Sequence, residues 1–282
     1  MQEKSNISLS IAVVCYHSTS EELYQLFESV LSSVECLREK FDCETIPFYL
    51  IDNSETDELN LDMFSSLGDE ATRLNLEPRL LKGHGNIGYG RAHNLPLSKI
   101  ESEYHLILNP DIVLDTNCIA SGVTFLKETP DAVLATPQAS DHNGDKQYLC
   151  KRYPSVLTFL LRGFFPKFIK NLFSTRLSNY EMQDLDEQQA NKDIPIASGC
   201  FMLCRTESLK NIEGFDENYF LYFEDFDLSM RIGRQGKIAY VPCMKIIHSG
   251  GHAAKKGLGH IKMFVRSGIR FFNTHGWRWI KQ

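Results

Sequence analysis

Five carboxylates and six aromatic rings fall within residues 215–228, Phe-Asp-Glu-Asn-Tyr-Phe-Leu-Tyr-Phe-Glu-Asp-Phe-Asp-Leu. Apolar walls raise the pKa of a carboxyl group and make it a competent general base, so Glu224 and Asp225 are candidates for proton abstraction. The same acids would suit the first turn of a helix, whose dipole favours Glu224, Asp225 and Asp227 there. Both readings can hold together. A further carboxylate, Asp111, follows an apolar run in the turn Asn109-Pro110-Asp111. Magnesium or manganese takes oxygen ligands, often only one or two from protein, so a single Asp could hold a cation that bridges two phosphates. As a bare tripeptide, Asn-Pro-Asp is more often only a turn. Another apolar run ends in Ile246-Ile247-His248-Ser249-Gly250-Gly251-His252. Lone histidines are mostly structural, but His248, at a strand end of the same sheet, could complete a metal site.

Gly83-His84-Gly85-Asn86-Ile87-Gly88-Tyr89-Gly90 carries four glycines into the start of a helix, where backbone amides can approach an anion. The spacing is neither a Walker loop nor a dinucleotide fingerprint. Glycines needed only for a tight turn would look the same.

Such residues need a scaffold, and the sequence supplies alternating strands and helices. Residues 7–15 are a continuous apolar, β-branched run, hence a buried strand; 21–40 follow with helical spacing at Leu23, Leu26, Phe27, Val30, Leu31 and Val34. Residues 48–51 form the next strand, 79–82 a short extended piece, 89–100 a helix and 104–108 a strand. This alternation predicts a parallel sheet with helices on its faces. Ligands of such sheets bind outside the carboxyl ends of the strands, where Asp52-Asn53-Ser54 and Asn109-Pro110-Asp111 both fall.

The chain has 282 residues, 43% hydrophobic and 23% charged, which suffices for a full core without staples. Eight cysteines without a CxxC pair argue against a zinc ribbon or disulfide scaffold and for reduced thiols. The apolar runs are far shorter than the roughly 20 residues that span a bilayer, and Met1-Gln2-Glu3-Lys4 does not open a signal peptide. A soluble protein, or one resting on a membrane surface, is expected. The net charge of -6 averages two regions: eleven of the 30 Lys and Arg residues lie beyond Asp227, where no Asp or Glu occurs. A second acid-free stretch, 146–180, holds seven basic residues among Phe159, Leu160, Leu161, Phe164, Phe165 and Phe168. This segregation points to a polyanionic partner.

Taken in order, Asp52-Asn53-Ser54, Asn86-Ile87-Gly88-Tyr89-Gly90 through Asn94, Leu108-Asn109-Pro110-Asp111, Ser198-Gly199-Cys200-Phe201-Met202, Gly214-Phe215-Asp216-Glu217, Phe223-Glu224-Asp225-Phe226-Asp227-Leu228 and His248 resemble the family 2 glycosyltransferases, most closely the bacterial rhamnosyltransferase branch. The likeness covers roughly residues 7–275. It implies a GT-A fold: an α/β domain with a central, mostly parallel sheet flanked by helices and a C-terminal amphipathic helix. One domain, 1–282, would comprise a nucleotide-sugar half (7–115), an acceptor and catalytic half (116–254) and a basic helix (255–282). By position, Asp225 resembles the catalytic base. Asp52 resembles the carboxylate that reads the base, with Cys15 and Tyr16 lining the same pocket. Asn86, Gly88, Arg91 and Asn109 resemble donor-site residues. Asp111 resembles the metal-binding aspartate, His248 a further metal or diphosphate ligand, and Arg152, Ser198, Gly199 and Glu224 fall to the acceptor side. Asn109 replaces the first aspartate of the family's Asp-x-Asp motif, so the strictness of the Mg2+ or Mn2+ requirement stays open.

The implied reaction is inverting transfer, with dTDP-L-rhamnose favoured as donor and a saccharide or polyprenyl-diphosphate-linked saccharide as acceptor, in cell-surface polysaccharide assembly. Another dTDP- or UDP-sugar is the alternative, as is a non-catalytic glycan- or lipid-binding module. A nucleotidyltransferase is disfavoured because Cys15-Tyr16-His17-Ser18 replaces the long Gly-rich basic loop after the first strand. Arg231 and Arg234 read as partners of the acidic cluster or as diphosphate contacts, structural pairing first. In the C-terminal segment, Leu258, Ile261, Val265, Ile269 and Phe272 form an apolar stripe beside Lys262, Arg266 and Arg270, with Trp277 and Trp279 beyond. This suits an anionic membrane surface, and with it a peripheral place on the inner face of the cytoplasmic membrane; a helix packed on the core with a solvated basic face is the competing reading. No nucleic-acid recognition motif accompanies the charge.

Overall fold

The computed structural model describes residues 4–250 and 258–280. Nine strands form its main sheet: β1 (Leu9–Cys15), β2 (Ile46–Asp52), β3 (Leu76–Leu81), β4 (Tyr104–Leu108), β5 (Ile112–Leu114), β6 (Ala132–Ser140), β7 (Lys146–Gln147), β8 (Phe201–Arg205) and β9 (Lys237–His248). Their spatial order is β3-β2-β1-β4-β8-β6-β9-β5, with β7 paired to β6. The first four are parallel, as the strand and helix alternation predicts. All seven residues of β1 are buried, as a strand covered on both faces requires. The second half is mixed. Strand β8 enters antiparallel between β4 and β6, setting Phe201 opposite Leu108 and Leu203 opposite both Leu106 and Ala135. Strand β9 runs parallel to β6 and antiparallel to β5.

Helix α1 (Ser20–Lys40) starts at a capping box, in which Thr19 Oγ1 accepts from the Glu22 amide at 3.2 Å and a Glu22 carboxylate oxygen accepts from the Thr19 amide at 2.9 Å. Every position of its expected apolar stripe is buried. The helix expected at 89–100 is shorter: α2 (Tyr89–Asn94) stops two residues before Pro96, and a 3-10 turn covers Leu97–Lys99. Helix α3 (Cys118–Glu128) lies on β6 and β9. Beyond it come α4 (Val156–Phe164), α5 (Glu224–Ile232) and α6 (Leu258–His275).

Helix α6 combines the two readings of the C-terminal segment. Ser267, Gly268, Phe271 and Phe272 are buried in an aromatic cluster with Tyr153, Tyr219 and Phe223. Ile261, Val265 and Ile269 stay 44%, 46% and 47% exposed, so that part of the stripe faces outward. Two contacts tie the helix to the acidic segment: His275 meets Asp227 of α5, fully buried, at 2.7 Å, and Arg270 meets Asp216 at 2.7 Å; within α5, Asp227 also pairs with Arg231 at 2.6 Å. Arg231 therefore takes the structural role. The expected residues Gly251 and His252 and the first positions of 255–282 lie outside the described residues.

Candidate active site

A cavity of about 560 Å³ opens at the carboxyl ends of β1, β2 and β4. Its sheet side comprises Val14, Tyr16, Asn53, Asn86, Asn109 and Asp111; Phe220, Leu221, His260 and Met263 form the facing wall. Parallel strands leave their carboxyl ends open because the chain turns away there into helices. The loops are cross-braced by amides: the Asn53 side chain donates to Asn86 Oδ1 at 3.2 Å and accepts from the Ile87 amide at 3.0 Å. Gly88 has a φ of +93°, and a Cβ there would come within 2.6 Å of the Phe220 carbonyl oxygen, to which the Tyr89 amide donates at 3.1 Å. Glycine at 88 lets the facing wall close on the sheet.

Asp111 and His248 meet because β9 ends beside the turn after β4. His248 pairs with Ile112, and the Ser249 amide donates to the Asp111 carbonyl oxygen at 3.0 Å. His248 Nε2 lies 3.6 Å from Asp111 Oδ2, while its Nδ1 lies 2.7 Å from Gln147 Oε1. A 3.6 Å separation is too long for a hydrogen bond yet fits two ligands that each sit about 2.1 Å from one ion. Asp111 Oδ1 is buried without a hydrogen-bond partner. Burial pushes the His248 pKa down against the pull of Asp111, which favours the neutral ring that a metal ligand needs. These two side chains could hold one divalent cation and leave most of its coordination shell to phosphate and water; no set of three or more His, Cys, Asp or Glu ligands occurs among the described residues.

Asp225 heads α5. Its Oδ2 accepts from the Gly199 amide at 3.0 Å and its Oδ1 from the Phe226 amide at 2.9 Å. Next along the chain, the Cys200 carbonyl oxygen accepts from the Asn109 amide at 2.9 Å, so residues 199 and 200 link the base candidate to the Asn-Pro-Asp turn. The Tyr89 hydroxyl, from the cavity lining, donates to the Gly199 carbonyl at 2.7 Å. Two successive left-handed residues, Tyr222 (φ 69°) and Phe223 (φ 65°), deliver the chain into α5. Such backbone is strained for side chains of this size and collects at functional sites. Burial raises the pKa of both carboxyls, and the Asp225 charge adds to the rise at Glu224. The two amides offset part of the rise at Asp225, whereas Glu224 Oε2 is buried with no partner. A proton shared by the pair therefore rests on Glu224 and leaves Asp225 the anion.

Of the residues singled out in the sequence, Tyr16, Asn86, Gly88, Asn109 and Asp111 line the cavity; Gly199 and Glu224 adjoin Asp225, with Ser198 next in the chain. Four are placed otherwise. Cys15 is turned into the core behind the cavity, its thiol pKa raised by burial. Asp52 is 1% exposed, and its oxygens accept from the Ser54 amide, the Ser54 hydroxyl and the Leu59 amide, so it braces its own loop while Asn53 faces the cavity. Arg91 donates to the Glu217 carbonyl and lines a neighbouring cavity. Arg152 makes a two-pronged ion pair with Asp184. Sequence reasoning missed Gln147, His260 and Met263, which no motif marks, and gave no role to Tyr89, although it sits inside the glycine motif.

The model of the family described as Glycosyl transferase family 2 matches residues 10–213. N-acetylglucosaminyl-diphospho-decaprenol L-rhamnosyltransferase of Mycobacterium tuberculosis is 26% identical over 191 residues, 62% of this chain and 60% of that protein. Rhamnosyltransferase WbbL of Escherichia coli K12 is 24% identical over 177 residues, 60% of this chain and 63% of that protein. The chain thus matches less than two thirds of the length of these curated relatives. Among solved structures, GalNAc-T7 with UDP, GalNAc and Mn2+ superposes with a TM-score of 0.62 at 15% identity over 94% of this chain and 48% of that one, which establishes a shared fold.

Proposed function

Because the chain belongs to glycosyl transferase family 2, we propose that it is an inverting glycosyltransferase, that dTDP-L-rhamnose is its donor and that a saccharide or polyprenyl-diphosphate-linked saccharide accepts the sugar. The observation that carries this reading is the juxtaposition of two centres through residues 199 and 200: Asp111 at the cavity with His248 beside it, and Asp225 held as an anion by two amides. The rhamnosyltransferase names of the two relatives support the donor, and the diphospho-decaprenol of one supports the acceptor.

In the reaction the acceptor hydroxyl oxygen attacks the anomeric carbon, the bond from that carbon to the diphosphate oxygen breaks, and the hydroxyl proton passes to the Asp225 carboxylate. The nucleoside diphosphate departs with the electron pair of the broken bond. Mg2+ or Mn2+ bound by Asp111 and His248 would supply positive charge where the leaving group becomes more negative. The Gly199 and Phe226 amides keep Asp225 ionised and aimed. Asn86, Asn53 and Tyr16 would contact the nucleoside, and Tyr89 fixes the Gly199 peptide.

A peripheral place on an anionic membrane, at its cytoplasmic face, belongs to the same proposal. It is supported by the exposed Ile261, Val265, Ile269, Trp277 and Trp279 beside Lys262 and Arg266, and by Phe168 and Leu172, 69% and 79% exposed in the acid-free stretch. No helix among the described residues is long and apolar enough to cross a membrane.

The test is thermal shift against dTDP-rhamnose and other nucleotide sugars, with and without Mn2+. A ligand that binds only the native state raises Tm. The expected result is a rise with dTDP-rhamnose that Mn2+ enlarges, with the Mn2+ increment lost in His248→Ala. Absence of any shift across the panel would sink the donor assignment.

A further inference from the structure

A second cavity, of about 520 Å³, adjoins the first and shares Phe220 and Met263 with it. Three guanidinium groups, Arg91, Arg266 and Arg270, converge on it, and Glu217 is the sole carboxylate among its lining residues. Two of these forks are fixed by protein. Arg91 Nε donates to the Glu217 carbonyl at 2.8 Å; Arg270 reaches Asp216 at 2.7 Å and lies over the Tyr219 ring. Each keeps further N–H donors for another partner. Arg266 is exposed and has no hydrogen bond or ion pair with protein among the described residues. The Glu217 carboxylate, 58% exposed and 3.8 Å from Arg91, is a loose counterion that can turn to solvent.

Helix α6 also fixes which way this cavity faces. Met263, Ser267 and Arg270 recur at i, i+4 and i+7 along the cavity, and Arg266 and Lys262 come next around the axis. The exposed stripe of Ile261, Val265 and Ile269 follows. If the stripe enters the acyl boundary, Lys262 and Arg266 stand in the headgroup layer and the cavity opens beside them.

We propose that the cavity lined by Arg91, Arg266 and Arg270 binds the diphosphate of a polyisoprenyl-diphosphate-linked acceptor. The proposal rests on the glycosyltransferase reading above, and it gives the acceptor a site which that reading leaves unassigned. Guanidinium forks match phosphate oxygens bidentately, and several together fit a diphosphate better than a single phosphate ester. The donor's own diphosphate is assigned in that reading to Asp111, which lines the other cavity, with His248 beside it. The first sugar of such an acceptor is bonded directly to the diphosphate, so an acceptor anchored behind Phe220 and Met263 presents that sugar next to the bound donor. Its isoprenoid tail leaves along the apolar stripe.

Titration calorimetry on the full chain decides it, with farnesyl diphosphate as the probe and farnesol, inorganic pyrophosphate and phosphatidylcholine vesicles containing phosphatidylglycerol as the comparisons. Each is run with and without saturating dTDP and Mn2+. The expected result is that farnesyl diphosphate binds whether or not dTDP is present, farnesol binds at least about tenfold more weakly, and Arg266→Gln weakens farnesyl diphosphate about tenfold while Arg266→Lys, which keeps charge but loses the fork, falls between. Arg266 is exposed, and an unchanged Tm verifies that the variants fold. Unaltered affinity in Arg266→Gln overturns the proposal, as does complete competition by dTDP, which would put the probe in the donor cavity. Inorganic pyrophosphate binding as tightly as farnesyl diphosphate would overturn the lipid source in favour of a free anion. An equal loss on phosphatidylglycerol vesicles would reduce the site to general headgroup attraction. Failure of dTDP to bind the unmodified chain would instead count against the donor reading, and the runs without nucleotide would still decide this cavity.

Discussion

Asp225 and Glu224 are adjacent in sequence but differ in what their oxygens meet, and that difference assigns their protonation. Asp225→Asn removes the proton acceptor and turns an amide nitrogen toward one of the two backbone N–H groups that now donate to the carboxylate, so kcat is expected to fall by about 10²–10⁴ and Tm by a few degrees. Glu224→Gln copies the neutral form of Glu224 and is expected to keep the variant active. Its stability has a definite sign. A carboxyl whose folded pKa lies above the unfolded one stabilises the fold at low pH, and that contribution is lost as pH rises through the folded value. Melting curves should therefore nearly coincide for Glu224→Gln and the parent at about pH 4, with the variant melting a few degrees higher at alkaline pH; a constant gap would refute the protonation assignment. Asp111, Asp225 and His248 were legible as candidates because each sits in a short polar interruption of an apolar run. Gln147 was not. It reaches His248 from 101 positions away through strand pairing, a distance at which local pattern carries no information. Asp52 was legible only as an acid at a strand end, and nothing in its neighbours' types announced that Ser54 and Leu59 would take up both its oxygens.

Among the elements, the wall that carries Phe220 depends on glycine at 88. Gly88→Ala puts a Cβ on a φ of +93° and against the Phe220 carbonyl oxygen, a strain of about 1–3 kcal/mol. Urea unfolding should register that loss, and dTDP binding should weaken with it because Asn86 and Phe220 line the same cavity; unchanged values of both would show that the wall does not need this contact. The parallel half was readable because buried strands and a capped amphipathic helix declare themselves by period. The second half was less so. Strand β8 reads from its sequence as an ordinary apolar run, and only its partners make it antiparallel. The left-handed pair Tyr222 and Phe223 was invisible, since neither is a residue type that signals positive φ. Helix α6 carries apolar residues on two sides, and periodicity did not separate the side that packs on Tyr153 and Phe223 from the side left open.

For the molecule as a whole, helix α6 and the residues after it bring basic Lys262, Arg266, Arg270 and Arg278 together with exposed Ile261, Val265, Ile269, Trp277 and Trp279. Replacing Ile261, Val265 and Ile269 together by Ser should leave Tm close to the parent, because all three are exposed, and should reduce sedimentation with anionic vesicles at least about tenfold. Raising the salt should weaken binding of the parent as well. Vesicle binding by the triple variant equal to that of the parent would refute the surface assignment. The composition exposed the charge asymmetry directly, but which apolar residues face outward needed the packing. The placement of β8 also bears on how the chain is made. Strand β4, buried at all five positions, has β1 on one side and β8 on the other. As the polypeptide leaves the ribosome, that second side has no native partner until residue 205 has emerged, roughly 5–20 s later at about 5–20 residues per second. For that interval the nascent chain exposes an apolar strand edge of the kind that templates aggregation, so its yield in cells should depend on chaperone occupancy and slow where translation pauses between residues 108 and 205.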